Sequence, residues 1–166
     1  MKKQAFFKGV YIMLAALCIG LMGCSNPVKD ELLTYINKDL SKLGNMEDTA
    51  IKAFESVTGE NYTDDTRLYS VLTETVIPSY AELTTKLEAL SAKLKTAEVR
   101  KLHEKYIEGA NLQNSAFATF KVALEEGDSN KVLTANDKLT QGRKMIREFT
   151  AELNDLCSKN GIQLKK

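Results

Sequence analysis

Apolar residues at alternating steps of three and four constrain the fold of this chain more than any other feature. The cleanest run is Tyr69, Leu72, Val76, Tyr80, Leu83, Leu87, Leu90 and Leu94, stepping 3-4-4-3-4-3-4. Residues three and four apart lie above one another on an α-helix, so the run is one helical face. Three more runs share the period. The first is Leu33, Ile36, Leu40, Leu43, Met46, Ala50, Phe54 and Val57, and the third is Val99, Leu102, Tyr106, Ala110, Gln113, Phe117, Phe120 and Leu124. The last is Val132, Ala135, Leu139, Gly142, Ile146, Phe149, Leu153 and Leu156. No alternating pattern competes, so no strand is expected.

The residues between the runs are helix starts and stops. Asn26-Pro27 is an N-cap followed by a proline at the first helical position, where a missing N–H costs nothing. Gly59 ends the first run, and Glu60 to Asp65 is a polar turn in which Thr63 is the expected N-cap and two aspartates face the positive end of the next helix. Lys95-Thr96 makes a tight connection with Thr96 as cap, and Gly127-Asp128 stops one helix and caps the next. Lys159-Asn160-Gly161 is a stop, with Ile162 set to fold back on the last turn. Pro78 should kink the second helix. Four helices of about 30 residues, each roughly 45 Å long, joined by short turns imply antiparallel neighbours. The expected fold is all-α: an up-down-up-down antiparallel four-helix bundle over residues 27–166.

Ahead of the bundle stands a different kind of segment. Met1 to Lys8 carries Lys2, Lys3 and Lys8 and no acid, and the 15 residues from Gly9 to Gly23 are uncharged and mostly apolar. That is shorter than the roughly 20 residues a spanning helix needs, and it fits a secretory signal better than an uncleaved anchor. The run ends in Leu21-Met22-Gly23-Cys24, which resembles a bacterial lipobox, with Met22 where a smaller residue is commoner. The resemblance implies a type II signal peptide over 1–23, a diacylglyceryl group on Cys24, and a short tether over 24–26. It places the chain at the cell membrane, facing outside the cytoplasm. Each buried methylene contributes about 0.8 kcal/mol and a single chain holds only reversibly, so two chains make a stable anchor.

Cleavage would remove three lysines and no acid, leaving 20 basic against 22 acidic residues, a net charge near −2. Neither sign dominates and no long basic run exists, which argues against a nucleic-acid partner. Of the three cysteines only Cys157 would remain unmodified, so no intramolecular disulfide is expected.

Motifs of catalysis are absent. A di-iron bundle needs paired Glu-x-x-His motifs, and this chain has one histidine, His103, without the glutamate. Lipase-type Gly-x-Ser-x-Gly, phosphate-cradling glycine loops and Cys-x-x-Cys do not occur. Neither enzyme activity nor a cofactor is expected. Two constellations have a functional and a plain reading. Counted from the turn at Asp128, His103 lies 25 residues back and Cys157 29 residues on, both at the end nearer the tether. They are weak candidates for a soft metal, too few to hold one alone; the plain reading is a buried thiol and a solvated histidine. The second is a waist: Gly44, Pro78, Gln113 and Gly142 fall at one level of the four helices. A glycine on the stripe removes volume, so Tyr80, Tyr106, Gln113 and Gly142 are candidates for a small pocket. The plain reading is bundle irregularity, with Gln113 bonded to the carbonyl that Pro78 frees or to a buried water.

The helical pattern and the Gly59–Asp65 turn resemble those of uncharacterised small helical lipoproteins of Gram-positive bacteria, a resemblance that carries no functional residues. The leading expectation is a lipid-anchored, non-enzymatic envelope protein that binds another protein or the cell wall or fills an accessory role. The second is a small-molecule or metal-binding carrier using the waist, or the end that holds His103 and Cys157. A filled core at the level of Gly142 favours the first, and a polar-lined void the second.

Overall fold

The Asn26 side chain accepts from the N–H groups of Val28 and Lys29, which starts the first helix one residue before Pro27. The computed structural model describes residues 26–164, all helix and connection with no strand among them. The first helix is α-helical over Pro27–Thr34, π-helical over Tyr35–Leu40 and α-helical again over Ser41–Glu55. The second is α-helical over Asp65–Val71, π-helical over Leu72–Val76 and α-helical over Ile77–Ser91. The third, Ala97–Glu126, and the fourth, Ser129–Lys159, are uninterrupted. Successive helices pack antiparallel, as the spacing predicts. No helix among the described residues is long and apolar enough to cross a membrane.

The third helix is the centre of the arrangement. It touches the first, second and fourth helices, and its inward face is correspondingly wide: Leu102, His103 and Tyr106, then Gly109, Ala110 and Gln113, are all buried. The fourth helix lies closest to it. A Cβ on Gly142 would sit 2.7 Å from Gln113 Cγ and 2.9 Å from the Gly109 carbonyl oxygen, and one on Gly109 would sit 2.8 Å from Ile146 Cδ1. Two glycines facing one another let the backbones approach where any side chain would hold them apart. The volume that a side chain would take at Gly142 is therefore filled by the third helix itself.

The helix ends follow the expected chemistry with two changes. Gly127 is left-handed at φ 64° and Asp128 caps the fourth helix by accepting from Asn130 and Lys131 N–H. At the other end Gly161 is left-handed at φ 66°, Ile162 N–H donates to Cys157 C=O and Gly161 N–H to Ser158 C=O, the pair of bonds of a Schellman stop, and Ile162 is buried. The cap of the second helix is Asp64, not Thr63: its carboxylate accepts from Arg67 N–H at 2.9 Å. Thr96 does cap the third helix by position, but its side chain turns outward to another partner. The Glu31 carboxylate of the first helix accepts from Lys95 N–H at 2.6 Å, Thr96 N–H at 2.7 Å and the Thr96 hydroxyl. Burial pulls the Glu31 carboxyl upward, but these three hydrogen bonds outweigh it and hold it below the usual range.

Pro78 acts through the π-turn before it. Ile77 N–H reaches back five residues to Leu72 C=O, and Pro78 has no N–H to give Thr73 the same bond. The extra residue per turn absorbs the missing donor within the helix.

Two glycines give opposite expectations for the same substitution. Gly142→Ala should lower stability by about 1–3 kcal/mol, because backbone or Gln113 must move. Gly44, mid-helix with nothing within 4 Å of a Cβ, should gain about 0.5–1 kcal/mol as Gly44→Ala. Urea unfolding of the two variants beside wild type checks both signs; equal effects would mean that the helix pair does not meet as described.

Candidate functional site

Three of the four groups expected at the waist are joined by a residue outside the apolar runs. Glu47 is buried, and its carboxylate stands where the first, second and third helices meet. Oε2 accepts from Tyr106 Oη at 2.8 Å, and Oε1 accepts from Gln113 Nε2 at 3.0 Å and from Tyr80 Oη at 3.3 Å. Gln113 therefore spends its amide on Glu47, not on a carbonyl released by Pro78. Gly142 lies behind Gln113 as the close helix contact described above. Tyr80, Tyr106 and Gln113 converge at one point, as the level count implies, and what stands at that point is a carboxylate.

All three partners are neutral donors. No ion pair balances Glu47 among the described residues. Burial pushes its carboxyl above the ordinary range against the pull of the three hydrogen bonds, with the neighbouring Asp48 adding a small upward push. Burial, and then the charge on Glu47, push both phenols well above their usual value, which keeps them protonated and donating. Stacking of the Tyr106 ring on Phe149, centroids 4.8 Å apart, ties the cluster to the fourth helix.

Could the stripe have revealed Glu47? Leu43, Glu47, Ala50, Phe54 and Val57 step 4-3-4-3, a stricter alternation than the 3-4-4-3 of the run through Met46. The structure buries Glu47 into this line and leaves Met46 half-buried. The signal was a glutamate at a core position of a strict repeat, hidden by the apolar residue beside it.

His103 is buried with no exposed surface, in contrast to the solvated position expected for it. It belongs to the wide face of the third helix, where the first and second helices both cover it. Its Nε2 lies 2.8 Å from the Leu87 carbonyl oxygen, which can only accept, so Nε2 carries the proton. Nδ1 lies 2.9 Å from Tyr35 Oη and accepts from it. Burial lowers the imidazole below its ordinary value, against small opposing effects of the Leu87 hydrogen bond and of Asp39 and Glu104. Both ring nitrogens are thereby committed inside the protein. Cys157 is buried on the line of Phe149 and Leu153. Among the described residues no group of three or more His, Cys, Asp or Glu side chains is placed to hold a metal ion. Leu21, Met22, Gly23 and Cys24 lie outside the described residues.

Fold and site together define a class: an antiparallel four-helix bundle with a buried carboxylate held by two phenols and an amide. No protein-family model, no characterised protein and no solved structure matches this chain.

The His103 arrangement sets a pH dependence with a definite sign. Its folded value lies below the unfolded 6.5, so the unfolded state binds the proton first and stability is lost as pH falls through the window beneath 6.5. His103→Gln should flatten that acid-side decline in thermal unfolding midpoints. Tyr35→Phe removes the donor to Nδ1 and should cost about 1–3 kcal/mol at neutral pH; no cost would place the imidazole out of the core.

Proposed function

We propose that this chain is a lipid-anchored bundle outside the cytoplasmic membrane which acts without catalysis, by binding another envelope protein or the cell wall. The observation that carries the reading is the state of its chemically capable groups. Glu47, Tyr80, Tyr106 and Gln113 satisfy one another in the interior, and His103 has both nitrogens bonded to Tyr35 and Leu87. A carrier or an enzyme would need such groups turned toward a ligand. The outer faces instead carry single-turn ion pairs such as Lys52–Asp48, Lys86–Glu82 and Lys121–Glu125, a solvated surface worth little energetically.

Geometry gives the anchor reading an orientation. Asn26, two residues after Cys24, hydrogen-bonds Asn160 at the end of the fourth helix, so this end of the bundle would stand on the membrane. The exposed large apolar residues among those described, Tyr62 and Leu133, both lie toward the opposite end. A partner would meet that end first.

Cys24→Ala, expressed in the native host, should leave an unprocessed precursor or a protein released from the membrane fraction, and should lose labelling by a palmitate analogue. Processing and retention equal to wild type would remove the anchor from the reading. A photo-crosslinker at Leu133 should capture a defined envelope component more efficiently than one at Lys159; equal or absent capture at both would count against a partner at the far end.

A further inference from the structure

Among the described residues, Asn26, Glu31, Tyr35 and Glu47 tie the first helix to the rest of the bundle, and one of these ties differs in kind. Asn26 to Asn160, Glu31 to the connection before the third helix, and Tyr35 to His103 lie within the first ten residues of the helix. Glu47 is the tie at mid-height, and it is the one made by a buried acid. We propose that Glu47 is a proton-binding site that sets how firmly the middle of the first helix is seated on the second and third, tight when the carboxyl is protonated and looser when it is ionised.

The arrangement accommodates both states. Ionised, the carboxylate accepts from Tyr106, Gln113 and Tyr80, the last through the longest bond of the three at 3.3 Å. Protonated at Oε1, it donates to Tyr80 Oη across that same gap, the phenol's own hydrogen rotating out of it, while Tyr106 still donates to Oε2. The proton replaces a charge that has no counter-ion with a neutral hydrogen bond, so no rearrangement of the backbone is required. The groups facing the site offer nothing else to neutralise it. Asp48 on the same helix repels the ionised form. The second helix contributes Tyr80, and the third Tyr106 and Gln113. Across the fourth helix Arg143 is exposed and its charge is felt at Tyr80. Glu47 itself keeps 9% of its surface exposed, so the residue is not wholly sealed from solvent.

The sign follows from the position of Glu47 above the ordinary 4.5. A group whose folded value is raised gives stability that is present below the unfolded value and lost as pH rises through the folded one. This is opposite to His103, whose contribution is lost as pH falls. The two oppose one another where their ranges overlap, and only the loss on raising pH belongs to Glu47. Such a device needs no anchor to operate; it responds wherever the surrounding pH changes.

The test uses the full chain in detergent, wild type beside Glu47→Gln. Gln is nearly isosteric and cannot ionise. The midpoint of thermal unfolding of wild type should fall relative to E47Q between about pH 5 and about pH 8, with the difference growing by at least about 2 °C. Over the same range hydrogen-exchange protection, corrected for intrinsic rates, should fall more at 43–50 than at 135–146, and E47Q should remove the difference. Parallel stability profiles, or equal loss of protection in both segments, would overturn the proposal. Should E47Q fail to fold, Tyr106→Phe decides: removing one donor to the ionised form should move the Glu47 carboxyl titration, followed by its infrared band, to higher pH. A carboxyl that titrates at or below the ordinary range, or is unmoved by Tyr106→Phe, would overturn it equally.

Discussion

A buried carboxylate is the constraint on which the rest of the bundle's register depends. Leucines against leucines tolerate a slide or a rotation at modest cost, because apolar burial has no direction. A hydrogen bond has one. Glu47 needs donors from Tyr80 on the second helix and from Tyr106 and Gln113 on the third at the same time. Moving any one helix by a residue would leave a buried oxygen without a donor, at a cost of about 1–3 kcal/mol or more for a charged group. The cluster weakens the bundle as a store of energy and strengthens it as a choice of one packing. Buried polar groups serve this role in some systems and not in others; here it is supported by convergence of two helices on one side chain of another.

The same reasoning separates the two halves of the bundle. The third and fourth helices are uninterrupted and meet at Gly109 and Gly142, so their contact is set by backbone proximity and allows little play. The first and second helices each carry a π-turn, at Tyr35–Leu40 and at Leu72–Val76. In the first helix the extra residue turns both Tyr35 and Ile36 inward. That places the Tyr35 hydroxyl on His103 while Ile36 keeps its place in the apolar line. In the second it absorbs the donor missing at Pro78. The irregular turns thus occur in the helices that lack a glycine contact, and each has an identifiable use.

Much of this was legible in the sequence. The four stripes define the helices and their antiparallel order, and the stop at Asn160-Gly161-Ile162 was readable because a left-handed glycine followed by an apolar residue has few other uses. Asp64 displaced Thr63 as cap because two adjacent residues could both serve and only backbone direction chooses between them. His103 was misplaced for a different reason. A face of two lines, the usual pattern for an outer helix, puts it at the boundary; the third helix has three neighbours, and its buried face widens to include the residue after Leu102. Glu47 was hidden by Met46. Periodicity alone cannot choose between adjacent residues when the apolar one also fits, and the glutamate is buried only because three donors from elsewhere in the chain arrive to meet it. Tyr80, Tyr106 and Gln113 are candidates for a pocket in the sequence, without the acid that joins them in the structure.

The distribution of polar ties has a mechanical logic. The first helix is joined by a turn to the second at its far end, while its near end leads directly into the segment that bears Cys24. If that segment is tethered, any pull reaches the first helix before the others. Apolar packing resists separation but resists sliding and rotation poorly. Asn26, Glu31, Tyr35 and Glu47 each bond a group on another part of the bundle, and three of the four are concentrated at the near end. Glu31 is the strongest of these by chemistry, an ionised acceptor meeting two backbone N–H groups and a hydroxyl. It binds the start of the first helix to the connection between the second and third, so a load entering at residue 26 passes into three helices within two turns. Glu47 then governs the remaining length. The near end is fixed by bonds that persist across neutral pH, and the middle by one that a single proton can alter.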